Sequence, residues 1–244
     1  MRKSIYDLDG EVMDLIYGQP LWVASTNFWV VRSSLDSREV VIVDLPPDPK
    51  VIIELLAREG LKAVAIVATH GHIDHIGGVP AFVEDNFNLD TSLKQRVELK
   101  IHKDDAHYVQ SPLENSSTLG QLLLEAGLST REPELIEYLD DDVTFGSANV
   151  TFKSIHTPGH TPGSTCFQVN LDGLPPLLFS GDHLFKGSIG RTDLEGGSYE
   201  RLRDSMVDKI LPLDDEVVVL PGHGGTTTIG EERRTNPFIA EFLR

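Results

Sequence analysis

The stretch that decides the fold is THGHIDHIGG at residues 69–78, which directly follows an apolar run. Three histidines and an aspartate stand close together in it, and burying them without a metal ion would require a dense set of hydrogen-bond partners. His70 and His72 can face the same way, because side chains two apart in an extended segment do so. Asp74 and His75 follow in a tight turn that the neighbouring glycines permit. The stretch therefore predicts two pairs of metal ligands.

Three more candidate ligands follow strand-like runs farther along the chain. His160 comes after TFKSI, Asp182 after PLLFSG and His223 after EVVVLPG. Ligand-bearing loops in layered α/β proteins commonly lie at the ends of core strands, so separation in sequence does not prevent proximity. A zinc ion takes about four ligands. The full set therefore predicts two divalent ions, with zinc expected first and iron or manganese as alternatives.

The bulk composition excludes several classes of protein. The 244 residues have a formal net charge of −17, which would repel phosphate backbones and anionic membranes, so neither nucleic acid nor a membrane is expected as a partner. Cys166 is the single cysteine, which excludes an intramolecular disulfide and a thiolate metal cluster. It is interpreted as a small buried apolar residue and not as a nucleophile.

The expected location is cytoplasmic. Acidic residues between positions 7 and 14 interrupt any apolar signal segment, and no apolar run approaches the length of a membrane span. No linker or repeat divides the chain, so residues 1–244 are predicted to form a single domain. The sequence gives no indication of oligomeric state.

Alternating strand and helix patterns predict an α/β fold. Several of the strand-like runs are apolar almost throughout, which favours sheets that are covered on both faces. The predicted strands are 28–33, 39–45, 62–70, 150–156, 175–182 and 215–223.

Two predicted helices have recognisable ends. In the first, Asp48 is the expected N-cap, Pro49 the first helical residue and Gly60 the residue past the end. In the second, Ser198 is the expected N-cap. The expected buried faces are Val51, Ile52, Leu55 and Leu56 in the first helix, and Leu202, Met206 and Ile210 in the second.

The middle of the chain, residues 84–149, is less regular. A helix is expected near 118–127, and another is expected to begin close to Gly78, before this segment. The remaining histidines are interpreted as ordinary surface or core residues or, next to candidate ligands, as supports for them. They are His102, His107, His156 and His183.

The motif THxHxDHxGG, followed by a histidine, an aspartate and a histidine at wide intervals, resembles that of the metallo-β-lactamase fold superfamily. The resemblance extends over most of the chain, from the strand at Asn27 to the motif PGHGGTTTIGEERRTNP at 221–237. It implies a four-layer αββα sandwich with two mixed sheets between helical layers. The segments HTPGHTPGS at 156–164 and SGDHLFKGSIGRTDL at 180–194 are similar to those of short bacterial hydroxyacylglutathione hydrolases, the glyoxalase II group.

This resemblance implies a ligand set for each metal ion. The implied assignment is His70, His72 and His160 for one ion, Asp74, His75 and His223 for the other, and Asp182 as the bridge between them.

The resemblance also implies an activity. A metal-bound hydroxide, oriented by Asp74 as the catalytic residue, would hydrolyse a small-molecule acyl-thiol such as S-lactoylglutathione. Arg191 corresponds in position to a basic residue that meets the carboxylate of the thiol carrier, and Lys186 lies nearby. Both are candidate substrate-binding residues. Longer glyoxalase II enzymes have a helical extension after the last ligand, whereas 21 residues follow His223 here, so weak binding of the glutathione ester is expected.

Two other functions are compatible with the same fold. Persulfide dioxygenases look similar around GRTD at 190–193 and ERRTNP at 232–237, but they use a single iron with two histidines and one aspartate. On that interpretation several of the candidate ligands would bind no metal. A binding protein on a degenerate hydrolase fold would have gaps in its ligand set, and the sequence shows none.

Overall fold

The computed structural model describes residues 15–89, 97–113, 117–128 and 130–244. Within these residues the strands form two six-stranded sheets and a two-stranded hairpin. In chain order the strands are β1 (Ile16–Leu21), β2 (Thr26–Val31), β3 (Glu39–Val43), β4 (Lys62–Val67), β5 (Glu98–His102), β6 (Ile136–Leu139), β7 (Thr144–Ser147), β8 (Val150–His156), β9 (Thr165–Val169), β10 (Leu177–Gly181), β11 (Leu184–Phe185), β12 (Ser188–Ile189), β13 (Val218–Pro221) and β14 (Thr227–Thr228).

Both large sheets are mixed. The first has the order β1-β2-β3-β4-β5-β6, with antiparallel pairing from β1 to β3 and parallel pairing from β3 to β6. The second has the order β14-β13-β10-β9-β8-β7, in which the pair β10 and β13 is parallel and the other pairs are antiparallel. The chain passes from the first sheet to the second through residues 140–143, which we call the crossover.

The helices flank these sheets. A 3₁₀ turn at Lys103–Asp105 precedes the fourth helix, and a π-helical turn at Met206–Ile210 continues the sixth. In chain order the helices are α1 (Lys50–Glu59), α2 (Ile73–Ile76), α3 (Val79–Leu89), α4 (Ala106–Gln110), α5 (Ser117–Glu125), α6 (Tyr199–Ser205), α7 (Ile229–Thr235) and α8 (Pro237–Phe242).

Three buried apolar clusters establish the order of the layers. One packs α1 and α3, through Leu55 and Phe82, on the outer face of the first sheet. The second fills the space between the sheets and includes Val43 and Phe179. The third packs α6, α7 and α8 on the outer face of the second sheet, with Leu202 among its members. This arrangement confirms the predicted αββα sandwich, and it explains why β2 and β10 are buried along their full length.

The six predicted strands correspond to β2, β3, β4, β8, β10 and β13. The irregular middle segment contains α5, close to the helix expected there, and α3 begins at Val79 as predicted. Ser198 is the N-cap of α6, since its hydroxyl accepts a hydrogen bond from the Arg201 N–H. The buried face predicted for this helix, Leu202, Met206 and Ile210, is also confirmed.

The prediction for the start of α1 was wrong. The helix begins at Lys50, Pro49 is its cap residue, and no side chain accepts a capping bond. Asp48 has φ 61°, in the left-handed region, which does not suit an N-cap. The predicted place of Val51 on the buried face was also wrong, since Val51 is 42% exposed and the buried stripe consists of Ile52, Leu55 and Leu56. The end of the helix agrees with the prediction, since Gly60 adopts φ 62° there.

No helix among the described residues is long and apolar enough to cross a membrane. The acidic residues at positions 7–14, which argued against a signal peptide, lie outside the described residues.

Candidate metal centre

The loop after β4 brings the first four candidate ligands to the edge between the sheets. β4 ends at Val67, and the next helix, α2, begins at Ile73. Asp74 and His75 lie within this one-turn helix, where the sequence predicted a tight turn. The chain then passes so close to the preceding loop that a Cβ at Gly78 would lie 2.1 Å from the carbonyl oxygen of Pro46. A glycine is therefore required for this path.

The first group of ligand atoms consists of three imidazoles. Nδ1 of His72 lies 3.1 Å from Nε2 of His70 and 2.9 Å from Nε2 of His160. His70 and His160 are buried, and His160 reaches the group from the loop that follows β8. The three nitrogens converge on one point and could hold one metal ion.

The second group combines one carboxylate with two imidazoles. Oδ2 of Asp74 lies 3.5 Å from Nε2 of His75 and 3.4 Å from Nε2 of His223. His223 follows β13, and its side chain is 28% exposed, so this side of the centre is open to solvent. These three side chains could hold a second ion.

Asp182 lies between the two groups. Its Oδ1 is 3.4 Å from His75 Nε2, and its Oδ2 is 3.4 Å from His223 Nε2 and 3.6 Å from His160 Nε2. This position is the one that a bridging carboxylate would occupy. A Cβ at Gly222 would lie 2.3 Å from Asp182 Oδ1 and 2.7 Å from the His75 ring, so the space beside the bridge admits only a hydrogen atom.

Buried polar groups hold several of the candidate ligands in place through hydrogen bonds. His75 Nδ1 lies 2.8 Å from Oδ2 of Asp44, and Asp44 also accepts hydrogen bonds from the N–H and the hydroxyl of Thr69. Thr26 donates its hydroxyl proton to Asp74 at 2.8 Å, and His160 Nδ1 donates to the carbonyl oxygen of Arg191 at 2.7 Å. Metal-binding histidines typically use their outer nitrogen in this way, because the bond fixes the tautomer and the ring orientation.

Asp105 joins the two loops that supply the imidazole group. Its buried carboxylate accepts hydrogen bonds from the N–H of Gly71 at 2.8 Å, the hydroxyl of Thr161 at 2.8 Å and the N–H of Gly163 at 2.7 Å. This role of Asp105 was not predicted from the sequence, and neither were those of Asp44 and Thr26. For Asp44 a signal existed, since it follows a strand-like run as Asp182 does.

The protonation states of His70, His72 and Asp74 suit metal binding. Burial, reinforced by the neighbouring imidazoles, lowers the pKa of His72 to about 3 and that of His70 well below its ordinary value, so both rings are neutral. Burial acts in the opposite sense on Asp74, but His75 and His223 lower its pKa to about 2. The carboxylate is therefore ionised. Neutral imidazoles and ionised carboxylates are the forms that bind metal ions.

Unpaired atoms at the centre provide a direct test of the fit. Within the described residues, the buried atoms His75 Nε2 and Asp182 Oδ1 have no hydrogen-bond partner, although they lie 3.4 Å apart. Burial alone would lower the pKa of His75, but Asp44, Asp74 and Asp182 raise it well above its ordinary value. The centre therefore attracts positive charge, and the nitrogen and oxygen donors present fit two divalent ions.

The two candidate substrate-binding residues lie outside this group. Lys186 is exposed in the β11–β12 hairpin. The Arg191 side chain is 61% exposed and forms a two-bond ion pair with Asp193, at 2.7 and 2.8 Å. Arg191 contacts the candidate ligand His160 through its carbonyl oxygen, which accepts the bond from Nδ1 of that ring. Its role in substrate binding remains a prediction.

The chain is similar to several known proteins. A family described as the metallo-beta-lactamase superfamily matches residues 21–223. The hydroxyacylglutathione hydrolase GloC of Haemophilus influenzae is 33% identical over 211 residues, which cover 84% of this chain and 89% of that protein. The crystal structure of the BLEG-1 B3 metallo-beta-lactamase superposes with a TM-score of 0.76 at 36% identity, covering 92% of this chain and 99% of the other. The structure of TTHA1623 in a di-iron-bound form gives 0.72 at 30% identity, with coverage of 91% and 99%.

Proposed function

The chain belongs to the metallo-β-lactamase superfamily, and on that premise we propose that it is a binuclear hydrolase that cleaves a thiolester, such as S-lactoylglutathione or a related acyl-thiol. The observation that carries the proposal is the convergence of two ligand groups on Asp182. Similarity to a relative named as a hydroxyacylglutathione hydrolase supports the substrate class.

Each ligand has a proposed role in this reaction. His70, His72 and His160 would hold one ion, Asp74, His75 and His223 the other, and Asp182 would bridge them. When bound, two divalent ions such as zinc supply a nucleophile at neutral pH and stabilise the developing oxyanion.

The protein's own groups then position the reactants. Thr26 holds one oxygen of Asp74 at 2.8 Å, which fixes this carboxylate in the orientation from which it would direct the nucleophile. The leaving thiolate of a thiolester is already a stable anion, so the reaction does not require a strong general acid. This matches the surroundings of the centre, where Asp74 and Asp182 are both ionised.

Arg191 is the proposed contact for the carrier part of the substrate. Its backbone carbonyl accepts the hydrogen bond from His160, while its side chain is 61% exposed and available to a ligand. An anionic tail could replace Asp193 as its partner, since an exposed ion pair contributes little stability. Lys186 is a second candidate on the β11–β12 hairpin.

Anaerobic thiol release tests the proposal. Protein loaded with zinc should liberate free thiol from S-lactoylglutathione without oxygen, and a chelator should abolish the release. Oxygen uptake with glutathione persulfide, without thiol release from any acyl-thiol, would instead establish the dioxygenase activity. A chromogenic β-lactam should be tested in the same series because of the similarity to BLEG-1. Hydrolysis of the β-lactam without thiol release from any acyl-thiol would show that the substrate is a lactam and not a thiolester.

A further inference from the structure

A second cluster of metal-binding side chains lies outside the candidate metal centre. His102 is the last residue of β5 in the first sheet, and His156 is the last residue of β8 in the second. Asp141 lies in the crossover between the sheets. The two imidazoles are buried, whereas the Asp141 side chain is 59% exposed. The ligand atoms of these three residues, which we call the crossover cluster, lie within 4.8 Å of one another.

The hydrogen bonding of His156 leaves a position for a cation. Its Nε2 donates to the carbonyl oxygen of Pro162 at 2.9 Å, so in the neutral ring the lone pair is on Nδ1. This nitrogen faces Oδ2 of Asp141 at 3.3 Å, and that oxygen is also an acceptor. Two facing lone pairs repel each other unless a cation lies between them. Anchoring of the outer nitrogen by a backbone carbonyl is typical of histidines that bind metal.

His102 supplies the second nitrogen. Its Nε2 lies 3.1 Å from Oδ1 of Asp141, and burial, followed by the neighbouring His156, lowers the pKa of the ring, which is therefore neutral near pH 7. The two rings stack with centroids 3.9 Å apart and planes 14° apart, so both nitrogens reach the carboxylate. To bind the same ion as His156 Nδ1, the Nε2 atom of His102 must be the unprotonated nitrogen, so the ring proton moves to Nδ1 and the bond that Nδ1 accepts from the Asp104 N–H is lost. This bond is long, at 3.3 Å, so its loss costs little free energy.

The charges around the cluster also favour a divalent cation. Lys103 pairs with Asp140, and Lys209 pairs with Asp142 and donates to the carbonyl oxygen of His156. These two ammonium groups face four carboxylates. The carboxylates are Asp104, Asp140, Asp141 and Asp142. The excess of two negative charges would be balanced by one divalent ion.

We propose that the crossover cluster is a third metal site, in which His102, Asp141 and His156 bind a divalent transition ion of the zinc class. Two imidazole nitrogens and one carboxylate oxygen are donors that suit this class, and exposure of Asp141 leaves a coordination position to water. With three protein ligands, one of them exposed, the site binds its ion more weakly than the binuclear centre does. Its ligands come from both sheets and from the connection between them, so the bound ion holds the two halves of the sandwich together.

Equilibrium dialysis against zinc tests the proposal on the full chain with its binuclear centre loaded. The wild type should reach three ions per chain at saturation, whereas Asp141→Asn and His102→Ala should reach two. Asp140→Asn is the matched control, because Asp140 is exposed, adjacent in sequence and paired with Lys103 outside the proposed ligand set. This control should retain three ions. The melting temperature should rise with added zinc in the wild type and the control, and this additional rise should be absent in Asp141→Asn.

Two results would overturn the proposal. One is saturation of the wild type at two ions, and the other is retention of the third ion by Asp141→Asn. If no third ion binds but the metal-free wild type shows a pH-dependent melting temperature that Asp141→Asn removes, a proton and not a metal occupies the cluster. Thiol release by Asp141→Asn should equal that of the wild type, so the third site and the proposed hydrolase activity can fail independently.

Discussion

Replacement of Asp44 by asparagine tests how the outer carboxylate controls the metal centre. Asp44 Oδ2 lies 2.8 Å from Nδ1 of His75, and Asp44 also accepts two hydrogen bonds from Thr69. Asparagine has the same shape and keeps one acceptor oxygen, which can retain the bonds from Thr69. Its amide nitrogen then faces His75 and donates to Nδ1. The ring proton consequently moves to Nε2, the nitrogen that is proposed to hold the ion.

The size of the effect follows from the bond that is lost. A hydrogen bond to a charged group contributes about 1.5–3 kcal/mol, and each 1.4 kcal/mol corresponds to about a tenfold change in affinity. Changes to residues that orient metal ligands reduce metal affinity by about 10- to 100-fold. We therefore expect that the ion held by Asp74, His75 and His223 binds with an affinity about 10- to 100-fold lower than in the wild type. The other ion should be affected less, because Asp44 reaches its ligands only through Thr69.

Competition with a chromogenic chelator would measure the release of successive ions. The matched control is Asp48→Asn. Asp48 and Asp44 have nearly the same backbone conformation, with φ 61° and 58°, which asparagine tolerates equally, but Asp48 is exposed to solvent. The control should retain both affinities. Wild-type affinities in Asp44→Asn, or an equal loss in the control, would refute the tautomer argument. Melting curves of the metal-free proteins would identify a variant that is simply unfolded.

Three further predictions concern the centre, the substrate and the buried thiol. Asp182→Ala should lose metal and nearly all turnover, because Asp182 contacts both ligand groups, whereas His102→Ala should keep its turnover. Equal losses of metal and of thiol release in the two variants would count against the assignment of Asp182. Arg191→Ala should raise KM for the glutathione ester with a smaller change in kcat, as expected for a contact to the carrier; a fall in kcat alone would contradict it. Burial raises the pKa of Cys166 to about 12 from an ordinary value of 9.0, so above about pH 9 the unfolded chain loses this proton first and the free energy of unfolding should fall. Denaturant titrations at pH 8 and 10 would measure the decrease in the free energy of unfolding between these pH values, which should be smaller in Cys166→Ala than in the wild type. An equal decrease in both proteins would show that the thiol does not contribute.

The candidate ligands could be predicted from sequence because each follows a strand-like run and has an unusual chemical identity. Their supports could not. Thr26 and Asp74 are 48 positions apart, and Gly71 and Asp105 are 34 apart, so these hydrogen bonds depend on how separate loops meet. Asp44 has no histidine beside it in the sequence, and only the packed structure shows that it faces His75.

Local detail was less predictable than architecture. The pattern of apolar runs depends on burial over whole elements, and this is why the six strands and the covering of both sheet faces could be predicted. The four-layer order was predicted from the family resemblance. The start of α1 depends on the dihedral angles of Asp48 and Pro49, which residue preferences do not determine. The motif GRTD at 190–193 could be recognised in the sequence. The direction of the Arg191 side chain could not, because it depends on the ion pair with Asp193.

The single passage between the sheets has a consequence for how the protein is assembled during synthesis. All strands of the first sheet precede residue 140, and all strands of the second follow residue 143. The proposed ligands at positions 70–75 therefore belong to the earlier half of the chain, and those at 160, 182 and 223 to the later half. Neither half alone contains a full set for either ion. If these residues bind metal as proposed, capture of the ions would follow the docking of the two halves, because a ribosome-bound chain that presents only its first sheet would have no complete site to load.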